Sequence, residues 1–230
     1  HEIDGETVEY IKGAPEVVAG FCAETVRKEV DAATVEMAEQ GLRPIGVAVR
    51  TGSAKQAEFL GIMGLLDPPR PTVKDAIQKA RDAGIRTVMI TGDHAITASA
   101  IANKVGLEGK AMTGAELEQT SDEELQEIVT TQSIFARVSP EHKVRICAAL
   151  QSHNLVVGMT GDGVNDAPAL HRAQIGISMG KVGTSVARQA SDLILLDDKF
   201  DTIVAGIEEG RRIFANIKKS VSFLLRTNFM

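Results

Sequence analysis

The sequence predicts an α/β fold built on a doubly wound parallel sheet, preceded by part of a small α/β module and followed by a long helix. Three observations carry this. Short apolar runs alternate with helical patterns between Phe59 and Leu196, as a parallel sheet with crossover helices requires. Polar, glycine-bearing turns follow two of those runs, at Thr91-Gly92-Asp93 and at Thr160-Gly161-Asp162-Gly163, where strand carboxyl ends of such sheets bind ligands. From Ile203 onward the apolar spacing becomes helical and stays so to Leu224.

With 230 residues and 43% hydrophobic content, the chain has material for a sizeable core. A net charge of −6 gives no support for nucleic acid as a partner. Cys22 and Cys147 lie far apart without a CxxC spacing, so neither a disulfide framework nor a zinc site is expected, and a reducing compartment fits. No run reaches the roughly 20 apolar residues that span a bilayer. The chain starts at His1 without a methionine and stops at Met230 inside a helical pattern, as expected of a segment of a longer protein.

In chain order, Thr7 to Ile11 reads as a strand, and Pro15 in Lys12-Gly13-Ala14-Pro15-Glu16 suits the first turn of a helix. Asp31 to Gln40 is helical, with Gly41 as its stop, and Ile45 to Val49 is a strand after Arg43. The polar stretch Thr51 to Glu58 marks a domain boundary. Phe59 to Leu66 forms a strand, and the three prolines of Asp67-Pro68-Pro69-Arg70-Pro71 a stiff exit from it. A helix from Thr72 to Ala83 closes at Gly84, and Ile85 to Ile90 is the next strand.

Asp93 is expected to cap a helix from Ala95 to Val105, with His94 on the surface. A short strand near Lys110 to Met112 precedes one charged helix from Ala115 to Val129, in which Ser121 and Glu124 form a capping box. Ile134 to Ala136 is a strand, and Pro140 begins a helix that runs to about Ser152. Leu155 to Met159 reads as a strand covered on both faces. Strands at Ile175 to Ser178 and Leu193 to Leu196 flank a helix from Thr184 to Gln189.

The candidate site residues sit at these strand ends. Thr91 offers a hydroxyl and Gly92 a backbone N–H to a phosphoryl oxygen. Lys143 falls in a first helical turn, where the helix dipole disfavours a cation, so it is informative if an anion lies nearby. Asp162 and Asp166, four apart, would repel with one pKa raised unless a cation joined them. Mg²⁺ suits them, since it takes one or two carboxylates and completes its shell with water and phosphate. Alone, Gly161-Asp162-Gly163 serves equally as a turn. The terminal stretch, about 40 Å long as a helix, groups Arg211, Arg212, Lys218, Lys219 and Arg226, as suits the cytoplasmic approach to a membrane.

Taken together and in this order, Lys12-Gly13-Ala14-Pro15-Glu16, Asp67-Pro68-Pro69-Arg70-Pro71, Thr91-Gly92-Asp93 and Thr160-Gly161-Asp162-Gly163-Val164-Asn165-Asp166 resemble the cytoplasmic core of P-type cation-transporting ATPases, in their type II form. The resemblance implies the C-terminal part of a nucleotide-binding domain over 1–55, a haloacid-dehalogenase-like phosphorylation domain over 56–200, and a stalk helix entering a transmembrane segment over 201–230. It implies ATP contacts from Lys12, Gly13, Arg43, Arg137 and Asn165, and a Mg²⁺ ligand in Asp162. It further implies that Thr91, Gly92 and Lys143 hold the phosphoryl group, with Asp93 and Asp166 in support.

The family's nucleophile is the aspartate of an Asp-Lys-Thr-Gly-Thr motif, and this sequence has no such motif. The implied function is therefore part of an ATP-driven cation pump on the cytoplasmic side of a membrane, with no turnover expected of this segment alone. A haloacid-dehalogenase-type soluble phosphatase, or a non-catalytic nucleotide- or Mg²⁺-binding module, stays open as an alternative.

Overall fold

The computed structural model describes residues 2–3, 6–65 and 68–228. In chain order the strands are β1 (Glu2–Ile3), β2 (Glu6–Gly13), β3 (Arg43–Thr51), β4 (Glu58–Leu65), β5 (Met89–Ile90), β6 (Met112–Thr113), β7 (Ile134–Ala136), β8 (Gly158–Gly161), β9 (Ile175–Met179) and β10 (Leu193–Leu195). The helices are α1 (Pro15–Ala19), α2 (Arg27–Glu39), α3 (Val73–Asp82), α4 (Ala95–Lys104), α5 (Gly114–Gln119), α6 (Asp122–Ile128), α7 (Pro140–Ser152), α8 (Ala167–Arg172), α9 (Ser185–Gln189) and α10 (Phe200–Asn228). The chain is α/β with parallel sheets, as the alternation predicts. It divides into two compact units, one formed by 1–69, 88–120 and 131–138, the other by 70–87, 121–130 and 139–230.

The first unit holds an antiparallel meander in the order β1-β2-β3-β4 and a parallel sheet in the order β5-β7-β6. Helix α1 lies so close over β3 that a Cβ on Gly46 would come within 2.9 Å of the Pro15 Cα. Below it Val18, Cys22, Ala48 and Ala57 form a buried cluster. Where β3 meets β4 the register slips beside Val47 and Ala48, leaving Leu60 bulged outward and exposed. β7 is buried along its whole length, as the central strand of its sheet.

The second unit holds the parallel sheet β10-β9-β8. Cys147 from α7, Met159 from β8, Ala169 and Leu170 from α8 and Ala187 from α9 form its buried cluster. Helix α3 packs on the start of α10, and the Arg211 guanidinium donates to the Ala83 carbonyl at 2.7 Å. Beyond that point α10 stands exposed, with Phe214, Ile217, Val221 and Leu224 in solvent. No helix among the described residues is long and apolar enough to cross a membrane.

Several elements differ from expectation for local reasons. Leu155 and Val156 are 48% and 76% exposed, because the ladder to β9 begins only at Gly158 opposite Ile175. β8 is thus displaced toward the turn; among the described residues it lies at an edge of its sheet, with Met159 buried and Gly158 exposed. Only Met89 and Ile90 pair in β5; Ile85 is consumed by the end of α3, where its N–H bonds the Ala80 carbonyl and Gly84 takes φ +74°. The charged stretch from Ala115 to Val129 is two helices, since Thr113 and Ser121 each make a capping box and Thr120 between them is extended. The short strand there lies at Met112–Thr113. Leu66 and Asp67, which belong to the expected strand and proline-rich exit, lie outside the described residues.

Candidate functional site

In the first unit, residues from several stretches far apart in sequence line one cavity of about 230 Å³, among them Gly13, Glu16, Arg43, Gly92, Asp93, His94 and Arg137. Gly13 ends β2 and Glu16 starts α1, while Arg43 opens β3. Gly92 and Asp93 follow β5, and Arg137 follows β7. Thr91 and the exposed Lys12 are not among the lining residues.

The charges in the cavity are already paired. Arg43 Nε lies 3.6 Å from Asp93 Oδ1, and the Arg137 guanidinium donates to the Glu16 carboxylate. Burial would raise the Glu16 pKa, but hydrogen bonds from its own N–H and from Arg137 outweigh it and hold the carboxyl below the usual range. Burial, and then the charge of Arg137, lower the His94 pKa. Arg137 sits at φ +50°, a left-handed conformation uncommon for a long side chain, with its N–H held by the Asp93 carbonyl at 3.0 Å.

Asp93 does not cap α4. Its carboxylate accepts from the Thr91 hydroxyl at 3.1 Å while its N–H donates back to Thr91 Oγ1 at 3.1 Å, and this tight turn takes the carboxylate away from the helix. The cap is His94, whose Nδ1 accepts from the Ile96 N–H at 3.3 Å. The half-buried His94 is thus a structural residue as well as part of the cavity wall. A Cβ on Gly92 would meet nothing within 4 Å, so its backbone is open to a ligand.

In the second unit the opening loop after β8 is organised by Asp166. Lys143 Nζ donates to Asp166 Oδ1 at 2.5 Å, and both side chains are largely buried. Asp166 Oδ2 accepts from the N–H groups of Asp162 (3.2 Å) and Gly163 (3.0 Å). Burial acts to raise the Asp166 pKa, but the Lys143 hydrogen bond and the two backbone donors more than offset it and lower the pKa overall. Repulsion from Asp162 does not raise the Asp166 pKa as expected of the unmetallated pair, because Lys143 supplies the cation. It also explains a lysine in the first turn of α7, since the anion it answers is Asp166.

Asp162 is left exposed, and its carboxylate has no hydrogen-bond or ion-pair partner among the described residues. Asn165 is exposed beside it. No group of three or more His, Cys, Asp or Glu side chains converges there among the described residues. A single free carboxylate on an ordered loop fits Mg²⁺, which is content with one protein ligand, and does not fit a site built for zinc or calcium.

Sequence reasoning missed several supports. His142, 6% exposed, closes a capping box with Ser139: its Nδ1 accepts from the Ser139 N–H at 3.1 Å and its own N–H donates to Ser139 Oγ at 3.3 Å. His153 Nε2 reaches the Gln126 carbonyl at 2.8 Å. Asp198, buried, gathers three backbone N–H groups. The Ser-Pro start of α7 carried a signal for the first; the other two depend on residues distant in sequence.

This architecture belongs to a known family. Residues 4–174 match the haloacid dehalogenase-like hydrolases, and the chain is a member of that family. Over most of its length it is also similar to cation-pumping ATPases: 47% identical to the calcium-transporting ATPase of Bacillus subtilis (strain 168) across 94% of this chain and 27% of that protein. It is 45% identical to the calcium-transporting ATPase 1 of Bacillus cereus (strain ATCC 10987 / NRS 248) across 90% and 24%. It is 41% identical to the cation-transporting ATPase pma1 of Synechocystis (strain ATCC 27184 / PCC 6803 / Kazusa) across 99% and 28%. The chain thus spans about a quarter of the length of these relatives.

Proposed function

We propose that this chain is the electrostatic half of the catalytic core of an ATP-driven cation pump that forms an aspartyl-phosphate intermediate. The observation that carries the reading is the division of labour between the two acids after β8. Asp166 spends both oxygens on Lys143 and on the loop backbone, which leaves the Asp162 carboxylate ordered and free to hold Mg²⁺. Bound Mg²⁺ would offset negative charge on the phosphoryl oxygens. Lys143 keeps its ammonium oriented by Asp166 and presents its remaining N–H donors to those oxygens. In the first unit, Thr91 and Gly92 are proposed to offer a hydroxyl and an open backbone N–H to a phosphoryl oxygen.

In the first unit, Arg43 and Arg137 are the cations for an ATP polyphosphate, with Gly13 letting it approach the backbone and Lys12 at the end of β2. Asn165, exposed beside Asp162, is proposed as a further polar contact for nucleotide. The domain assignment follows: residues 1–55 belong to a nucleotide-binding domain, 56–200 to a phosphorylation domain and 201–230 to a stalk leading to a membrane. Phosphoryl transfer needs mostly positioning and charge stabilisation, and these residues provide it. The nucleophilic aspartate, the cation-binding residues and the membrane helices of the pump are supplied by parts outside this chain, on the cytoplasmic side of which it works.

The test is phosphate release from Mg-ATP and from p-nitrophenyl phosphate by the chain itself. The reading predicts release no faster than by the Asp162→Ala variant. Turnover abolished by Asp162→Ala would instead make the chain a complete phosphatase.

A further inference from the structure

We infer that Asp198 is a positioning residue for the Asp162 loop, acting through residues 180–184, and that it ties this loop to the first turn of α10. The inference rests on the assignment of Mg²⁺ to Asp162, and all its parts lie in one compact unit.

The relay begins at Asp198, which is 6% exposed and held at φ +55°. Its Oδ1 accepts from the N–H groups of Gly180 (2.7 Å) and Lys181 (3.0 Å), and its Oδ2 from that of Val182 (3.0 Å). Three successive backbone donors on one carboxylate make a charge-assisted clamp on the turn after β9. From the other side, the Arg188 guanidinium donates to the carbonyls of Gly180 (3.2 Å) and Gly183 (2.6 Å). The turn has no slack: a Cβ on Gly183 would lie 2.0 Å from the Met179 carbonyl oxygen.

The clamped turn then reaches the metal loop. The Thr184 N–H donates to the Asp162 carbonyl at 2.8 Å. Asp162 is consequently pinned through both of its own backbone groups, its N–H on Asp166 and its C=O on Thr184. Only side-chain rotation remains to its carboxylate, so a weak single-carboxylate site is pre-organised by backbone contacts made by other residues. Without the Thr184 contact the carbonyl side of the loop is released.

At the other end, the Arg70 guanidinium donates to the Asp198 carbonyl. The neighbouring Asp197 accepts from the Thr202 hydroxyl at 2.6 Å and from the Lys199 N–H at 3.2 Å, fixing the entry to α10. Residue 198 therefore joins the start of a 29-residue helix to the loop that carries the Mg²⁺ carboxylate. A displacement of that first turn has a hydrogen-bonded route to Asp162.

The test is a Mg²⁺ titration of the whole chain by calorimetry, with amide exchange read by NMR on the same samples. Asp198→Ala is expected to weaken Mg²⁺ binding about tenfold, the lower end of what supporting contacts around a metal contribute. Asp198→Asn keeps one acceptor oxygen and is expected to recover part of that loss. A second pair guards against misfolding at residue 198. Thr184 has φ −68°, compatible with proline. Thr184→Ala loses the side-chain cap on Ala187 and keeps the backbone donor, whereas Thr184→Pro loses both, so only the latter should weaken Mg²⁺ binding by a similar factor. Unchanged affinity in folded Asp198→Ala, or equal affinities in the Thr184 pair, overturns the relay. If Asp162→Ala leaves Mg²⁺ affinity unchanged, the metal assignment fails instead. In that case the relay is decided by the Thr184 amide, whose exchange should be faster in Asp198→Ala and whose unchanged exchange overturns it.

Discussion

Replacing Asp166 by alanine removes the anion that holds Lys143 and the turn after β8. The loss comprises a charge-assisted bond at 2.5 Å and two backbone bonds at 3.2 and 3.0 Å. Breaking a fully buried pair from one side costs about 3–5 kcal/mol. Lys143 retains 15% exposure and can turn its ammonium toward water, and the loop N–H groups can hydrate, so about 2–4 kcal/mol is expected here. At about 2–4 °C per kcal/mol for a chain of this size, the melting temperature falls by roughly 5–15 °C. Circular dichroism measures the shift, and a cycle with Lys143→Ala and the double variant isolates the pair, expected to show coupling of about 1.5–3 kcal/mol. Asp166→Ala melting within about 1 °C of the parent, or additive single effects, would refute this view of the loop.

The other predictions are more local. Because the folded Asp166 pKa is depressed, its contribution to stability is fully present above the ordinary carboxylate pKa of about 4 and is lost as pH falls through the folded value. Between pH 7 and pH 3 the urea midpoint of the parent should therefore drop further than that of Asp166→Asn. Ser139→Ala removes the acceptor for the His142 N–H and should cost about 1 kcal/mol in urea unfolding. Burial pushes the Cys147 thiol up to about 11, so it should react with a thiol reagent at pH 8 only in denaturant. Arg137→Gly relieves a left-handed conformation worth about 1 kcal/mol while losing the exposed pair with Glu16; stability should hold or rise as ATP affinity falls, and fluorescence titration with a nucleotide analogue checks the second half.

Much of the architecture was legible because strand and helix periods are local. The Pro140 start of α7, the Ser121 capping box and the strand at Ile134 to Ala136 all depend on a handful of adjacent residues. The failures share a cause in distant partners. Leu155 and Val156 look like core by composition, yet among the described residues no strand pairs with them. Asp93 looks like a cap, but the Thr91 hydroxyl two residues earlier captures it and leaves the task to His94. At the site, the glycine-spaced acids after β8 announced a special loop. That the second acid serves Lys143, 23 positions away, is a tertiary fact that no spacing contains. Asp198 was invisible for the same reason, its three donors lying 16 to 18 residues upstream.

The reading of Asp162 as the free, pre-organised carboxylate can be measured directly by titrating the isotopically labelled chain with Mg²⁺. Amide shifts should concentrate at Gly161, Asp162 and Gly163, saturate, and vanish in Asp162→Ala while the fold is kept. Mg²⁺ shifts that persist with equal affinity in Asp162→Ala, or that leave this loop untouched, would contradict it.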